Sequence, residues 1–173
     1  MGGAECGGGQ AGASLAALGD VDGSGRSAFA VAAYYDSASF DYGGVVWIVR
    51  GTEAGPLANH TTLEASDDYW FLGTGIDGGQ DVDADGQSDL LLGATGYDNG
   101  TGLVLLVSGA ALGPSVSAAA LDVARAGVVG AAPATYLGSR VVFGNDLDGD
   151  GVQEVVSSAP LSDSGDAQRA GAV

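Results

Sequence analysis

Acidic side chains are concentrated in two short stretches, DVDADGQSD from Asp81 and DLDGDGVQE from Asp146. Both carry acids at positions 1, 3, 5 and 9 and a glycine at position 6. Alternate acids on a tight turn bring their oxygens towards one point, the glycine permits the turn, and the ninth residue can close the cage. The acids are Asp81, Asp83, Asp85 and Asp89, then Asp146, Asp148, Asp150 and Glu154. Such clusters repel themselves unless a cation lies among them.

The chemistry of these side chains predicts calcium as the bound cation. The donors are all oxygens, are rich in carboxylates and include neither histidine nor cysteine, which disfavours zinc. Calcium accepts six to eight oxygen ligands from a flexible loop, whereas magnesium tends to keep its waters. We therefore expect Ca²⁺ as the one cofactor of this chain.

Two other interpretations of the loops are compatible with part of the pattern. A helix–loop–helix EF-hand begins with the same pattern but needs an acid at position 12, where this sequence has Leu92 and Ser157. Asp and Gly are also common in polar hairpin turns without any metal. The recurrence of two four-acid loops in one register favours metal binding over simple turns.

A third, weaker copy of the pattern is DVDGSGRSA from Asp20. Ser24 replaces the acid at position 5, and Ala28 stands where the closing carboxylate would be. Asp20, Asp22 and Ser24 remain as possible metal ligands. Calcium affinity follows the number of charged ligands, so this loop is expected to bind weakly or not at all.

The three loops belong to an internal repeat, since their first acids are 61 and 65 residues apart. A glycine stands eight residues before each first acid, and a triplet of small residues follows twelve residues after it. The glycines are Gly12, Gly73 and Gly138, and the triplets begin at Ala32, Gly93 and Ser158. A glycine-led apolar segment comes next, as in GVVWIV and GLVLLV.

Short apolar runs separated by glycine predict four strands per unit, which is the repeat signature of a propeller blade. The predicted fold is all-β: a partial β-propeller of four-stranded antiparallel blades. Expected blades are residues 12–72, with the degenerate loop, 73–137, and a truncated third at 138–173. The segment SAAALDVARAG, residues 117–127, is compatible with a helix, but its position in the repeat favours strand.

Composition limits the possible partners. The net charge is −17, with five arginines and no lysine, which argues against nucleic acid as a partner. No apolar run is long enough to span a bilayer, no signal peptide is visible, and the single cysteine, Cys6, cannot form an internal disulfide.

The units resemble FG-GAP repeats, the blades of the integrin alpha-chain propeller and of many secreted bacterial proteins. FG stands at Phe143 and Gly144, with looser LG and GG versions at residues 18–19 and 78–79, and the GAP element appears as GAT and SAP. The resemblance implies a seven-bladed propeller with calcium in some hairpin loops. It also implies that the backbone carbonyls of Gln87 and Val152, at position 7, are ligands.

The expected function is a non-catalytic, calcium-stabilised extracellular module for cell adhesion, binding a protein or carbohydrate. Loops of this kind fill at the millimolar calcium found outside cells, so a secreted or cell-surface location is expected. The remaining propeller blades are the other expected partners, because a ring takes about 4–8 blades. The alternative is a scaffold segment of a secreted propeller hydrolase or lyase whose active site lies elsewhere.

Overall fold

The structure, a computed structural model, describes residues 9–51, 60–113, 117–163 and 171–173, so Cys6 lies outside the described residues. The strands within these ranges are β1 Ser14–Gly19, β2 Ala28–Ala33, β3 Val45–Arg50, β4 His60–Glu64, β5 Leu72–Gln80, β6 Asp89–Ala94, β7 Leu103–Val107, β8 Ser117–Ala119, β9 Ala126–Val129, β10 Arg140–Phe143 and β11 Val155–Ser158. Short helical turns are α1 Tyr97–Gly100, a 3₁₀ turn Gly109–Ala111 and α2 Ala120–Val123. No helix in the described ranges is long and apolar enough to cross a bilayer.

The strands form three sheets with the orders β1-β2-β3-β4-β8, β5-β6-β7-β9 and β10-β11. Neighbouring strands pair antiparallel except for β4 and β8, which are parallel. The prediction of an all-β chain of antiparallel sheets is therefore confirmed. The middle strands β3 and β6 are buried along almost their whole length, as expected for strands covered on both faces.

The segment 117–127 differs from the strand that the repeat favoured. It contains β8, then the helical turn α2, and then the start of β9. Ala120, the first residue of α2, is completely buried in the main core, so the chain turns inward there instead of continuing as a strand. Strand β8 adds a fifth strand to the first sheet by pairing with Thr62–Glu64. The second sheet has the expected four strands, whereas the first has five.

The three sheets pack side by side through their first strands. Strand β5 contacts β1 on one side and β10 on the other. A large apolar cluster joins the first two sheets and includes the fully buried Leu18, Ile48, Leu72 and Leu92. A smaller cluster, which includes Leu91 and Phe143, joins the second sheet to the third. This arrangement puts equivalent strands of successive units next to one another.

Small residues allow this close packing between units. The glycine that precedes each loop has a positive φ in all three units, +85° at Gly12, +91° at Gly73 and +90° at Gly138. Each of the last two lies against the small triplet of the preceding unit. A Cβ on Gly73 would be 2.6 Å from the Cβ of Ala32, and one on Gly93 would be 2.0 Å from the carbonyl oxygen of Gly138. The GAP-like triplets are therefore small because backbone of the next unit lies against them.

Replacing Gly93 with alanine tests this packing. The new Cβ would collide with backbone, which cannot rotate away, so we expect the free energy of unfolding to fall by about 1–3 kcal/mol. Gly127→Ala is the control, because a Cβ there would meet the flexible end of Leu105 at 3.1 Å. Urea unfolding measures both changes. Equal losses of stability in the two variants would contradict the proposed contact between units.

Candidate metal centre

The three acidic loops occupy equivalent places in the fold. Each connects the first two strands of its sheet: β1 to β2, β5 to β6, and β10 to β11. Strands β1, β5 and β10 lie side by side, and contacts near their ends put the three loops at the same end of the sheets. The carbonyl of Asp20 accepts the N–H of Ser88, and Asp77 near the end of β5 accepts the N–H of Phe143 at the end of β10. The apolar strands on either side of each loop are hydrogen-bonded to each other, so the hairpin holds both ends of the loop.

The third loop brings all four of its acids together. Carboxylate oxygens of Asp146, Asp148, Asp150 and Glu154 lie within 4.8 Å of one another. Oxygens bound to one calcium ion lie about 2.3–2.6 Å from it, so two of them are at most about 5 Å apart. The four side chains therefore fit a single calcium ion, in both distance and donor chemistry. Their assignment as ligands remains a prediction.

The second loop brings together three of its four acids, Asp81, Asp83 and Asp89, with the same 4.8 Å limit. The fourth, Asp85, lies outside this group. Its Oδ1 accepts the backbone N–H of Gln87 at 2.8 Å, and its Oδ2 accepts the hydroxyl of Ser108 at 3.3 Å. The backbone carbonyls at position 7 of both loops also remain only predicted ligands.

A common set of backbone hydrogen bonds shapes all three loops. The position-1 carboxylate accepts the N–H groups of positions 5 and 6, and the position-3 carboxylate accepts the N–H of position 5. In the third loop these bonds measure 3.1, 2.9 and 3.1 Å. The equivalent bonds are 3.1, 2.8 and 3.2 Å in the second loop, and 3.1, 2.7 and 3.1 Å in the first. Backbone N–H groups thus orient the acids at positions 1 and 3 of each loop.

The closing acid at position 9 links the end of each complete loop to its beginning. Asp89 accepts the N–H of Val82 at 2.9 Å and that of Gly109 at 3.0 Å. Glu154 accepts the N–H of Leu147 in the same way. Asp89 begins β6 and Glu154 directly precedes β11, so both acids stand at the start of the returning strand.

Asp89 is an unusually buried carboxylate, with 1% of its surface exposed. Burial raises the pKa of Asp89, and the nearby charges of Asp83 and Asp85 raise it further, while the two backbone N–H donors lower it. A raised pKa favours folding at low pH, and that contribution is lost as the pH rises through the folded-state value. Ionisation of Asp89 therefore opposes folding, and a bound cation would offset that cost.

The first loop contains Asp20, Asp22 and Ser24 in the same backbone arrangement, but only two of the three are carboxylates. The N–H of Gly25 is the main cause of a lowered pKa at Asp20. Position 9 is Ala28, which is buried in β2. The expectation of a weak or absent site here is still untested.

Arg50, which no sequence motif singles out, lies beside the first loop. Its Nε is 3.4 Å from Oδ2 of Asp22, an ion pair without hydrogen-bond geometry. The side chain is 3% exposed, and burial lowers the pKa of Arg50 while Asp22 opposes that shift. Its other nitrogens donate to Thr61 Oγ1 at 2.9 Å and to the carbonyl of Leu112.

Arg125 makes a similar contact in the second loop. Its Nη1 pairs with Oδ2 of Asp83, the position-3 acid of that loop. The sequence offered one indication of such ion pairs: only five arginines are present beside 22 acids, so each arginine has many possible acidic partners. The acids that they would meet depend on strand pairing between distant segments, which the sequence did not reveal.

The backbone at positions 4 and 6 of each loop is left-handed. Position 6 is glycine in every loop, with φ of +78° at Gly25, +88° at Gly86 and +91° at Gly151. Position 4 is glycine in the first and third loops but Ala84, with φ of +59°, in the second. The glycine at position 6 was expected from the tight turn of the loop, whereas the same requirement at position 4 was not.

Comparison with known proteins agrees with the repeat. Residues 137–173 match the family model of the FG-GAP repeat, and this range contains the whole third loop. The chain is also 36% identical over 97 residues to integrin alpha-PS2 of Drosophila melanogaster. That alignment covers 52% of this chain and 7% of the integrin, so the chain spans a small part of its relative's length. The repeat and the three antiparallel sheets together make the fold part of a β-propeller.

Replacing Ala84 with glycine tests the strain at position 4. An alanine in the left-handed region costs about 1–2 kcal/mol, of which the greater freedom of glycine in the unfolded chain cancels part. We therefore expect Ala84→Gly to raise the free energy of unfolding by about 0.5–1 kcal/mol. Ala126→Gly, at an exposed strand position in β9, is the control and should lower it. Chemical denaturation in EGTA isolates the effect from metal binding, and a loss of stability in Ala84→Gly would disprove the strain.

Proposed function

Because this chain carries an FG-GAP repeat and is similar to an integrin alpha chain, we propose that it is a calcium-binding part of an extracellular β-propeller that binds a protein ligand. It is a non-catalytic module. Calcium has a structural role, and the remaining blades of the ring are the other partners of this segment.

The convergence of Asp146, Asp148, Asp150 and Glu154 is the observation that carries this proposal. These side chains supply four negative charges to a volume that one calcium ion can fill. They belong to the residues that match the FG-GAP family model. The second loop would supply Asp81, Asp83 and Asp89, and the first loop would contribute little because Ala28 replaces the closing acid.

Calcium would act on the hairpins rather than on a substrate. The acids of the third loop lie between β10 and β11, and those of the second between β5 and β6. A bound ion would neutralise the acids and fix the two strands of each hairpin against one another. The chain's own N–H groups already orient the position-1 and position-3 carboxylates, so little reorganisation is needed for binding.

A cluster of aromatic side chains, Tyr35, Tyr42, Tyr69 and Phe71, is the proposed contact surface for the ligand. Tyr42 stacks on Tyr69 with ring centroids 5.8 Å apart, and Tyr35 packs edge-on against Phe71 at 5.6 Å. The three tyrosines are 37–52% exposed. Exposed aromatic groups of this kind are enriched at protein interfaces, and they also suit carbohydrate.

The aromatic cluster and the acidic loops lie at opposite ends of the first sheet. The cluster comes from the connections between β2 and β3 and between β4 and β5, whereas the first acidic loop connects β1 to β2. In an antiparallel sheet, successive connections alternate between the two ends. Calcium would therefore stabilise the sheet at one end while the ligand is bound at the other.

The first experiment is thermal unfolding of the 173-residue chain with calcium or with EGTA. A site with a dissociation constant of about 10⁻⁴–10⁻³ M gains about 1.4–2.7 kcal/mol in 10 mM calcium. With two sites, we expect calcium to raise the Tm by about 5–15 °C. Magnesium at the same concentration should raise it less. Equal midpoints in calcium and EGTA would contradict filled structural sites.

The second experiment counts bound ions by native mass spectrometry. Asp150→Asn removes one charge from the third loop and is expected to lower the count by one. Asp85→Asn is expected to do the same in the second loop, although Asp85 lies outside the converging group. Ser24→Ala is the matched control and should leave the count nearly unchanged. A lost ion in Ser24→Ala would show that the first loop is occupied.

A further inference from the structure

We propose that Arg125 competes with calcium for Asp83, so that the second loop binds calcium more weakly than the third. This inference rests on the proposed calcium-binding function and adds a residue that sets the affinity of one site. Arg125 comes from the segment before β9, 42 positions along the chain from Asp83. No feature of the loop's own sequence indicates it.

Asp83 is already neutralised by an arginine in the structure. Its Oδ2 is paired with Nη1 of Arg125, and its Oδ1 accepts the N–H of Asp85 at 3.2 Å. The side chain of Asp83 is 7% exposed, although it lies on a surface loop. Asp83 is nevertheless one of three acids whose oxygens converge. A calcium ion at that point would therefore share this carboxylate with a guanidinium group.

The charge available to an ion consequently differs between the two complete loops. The second loop brings together three carboxylates and one arginine, whereas the third brings together four carboxylates. Within the described residues, Asp148, the equivalent of Asp83, has no arginine partner. Calcium affinity rises with the charge of the ligand set, and a nearby cation repels the ion directly. Both effects make the calcium affinity of the second loop lower than that of the third.

The first loop contains the same pairing in a more buried form. Arg50 pairs with Asp22, again the position-3 acid, and is 3% exposed. Thr61 and the carbonyl of Leu112 hold its guanidinium in place. In both loops an arginine thus supplies positive charge to the acid at position 3. The two arginines differ in exposure, since Arg50 is buried and Arg125 is exposed.

A calcium ion can displace the guanidinium group of Arg125 from Asp83. Its side chain is 55% exposed, so water can replace Asp83 around the guanidinium. Its backbone stays in place because its N–H donates to the carbonyl of Leu106 at 2.8 Å. Removal of the arginine therefore takes away the competing charge without removing a strand. An exposed ion pair is weak, so the expected effect on affinity is moderate.

The test is a calcium titration of the full chain followed by NMR, with the amides of Gly86 and Gly151 as separate reporters of the second and third loops. Arg125→Gln should tighten binding at Gly86 by about three- to tenfold and leave Gly151 within about twofold. Arg125→Lys keeps the positive charge and should stay close to the parent chain. Arg140→Gln, which removes an exposed charge on β10, is the control for net charge and should change neither reporter.

The outcomes of this titration separate a failure of the competition by Arg125 from a failure of the proposed calcium binding. Unchanged or weaker binding at Gly86 in Arg125→Gln would overturn the competition, and weaker binding would make Arg125 a residue that positions Asp83. If neither glycine responds to calcium in the parent chain, the proposed function fails as well. If Gly151 responds normally and Gly86 is unaffected by the substitution, only this inference fails. A cooperative thermal transition in EGTA confirms that each variant is folded.

Discussion

The mutual repulsion of carboxylates on tight loops is the constraint on which the acidic end of this molecule depends. Neutral N–H groups hold the acids at positions 1 and 3 of every loop, but they leave the negative charge in place. The first two loops meet this charge with Arg50 and Arg125. The third loop collects four acids around one point. Within the described residues, the three loops share a backbone conformation and differ in whether an arginine pairs with the acid at position 3.

Close contact between successive units is the second constraint. The triplets at Ala32 and Gly93 lie against Gly73 and Gly138 of the following units, and the latter pair meets backbone to backbone. These contacts bring the first strands of neighbouring sheets together, and so bring the acidic loops to one end. The small residues of the repeat therefore have a structural reason that is independent of metal binding. They set the spacing at which a ring of blades can form.

Antiparallel connection of the strands separates the two proposed roles in space. Acidic loops join the first and second strands, while the aromatic cluster comes from connections at the opposite end of the first sheet. Strand β8, which pairs with β4 across units, further ties the first sheet to the second. An ion at one end would thus stabilise a framework that presents aromatic side chains at the other.

The local features of this protein could be predicted from its amino-acid sequence. The recurrence at Asp20, Asp81 and Asp146, the glycine that precedes each loop and the apolar runs between turns predicted the strands, the hairpin loops and the acids that converge in the third loop. These features depend on residues close together in the chain. Other features are visible only in the folded chain: Arg50 and Arg125 pair with Asp22 and Asp83, Asp85 turns towards Ser108, and residues 117–119 join the first sheet. Such contacts join segments many residues apart, and their partners follow from how the sheets pack rather than from any local pattern.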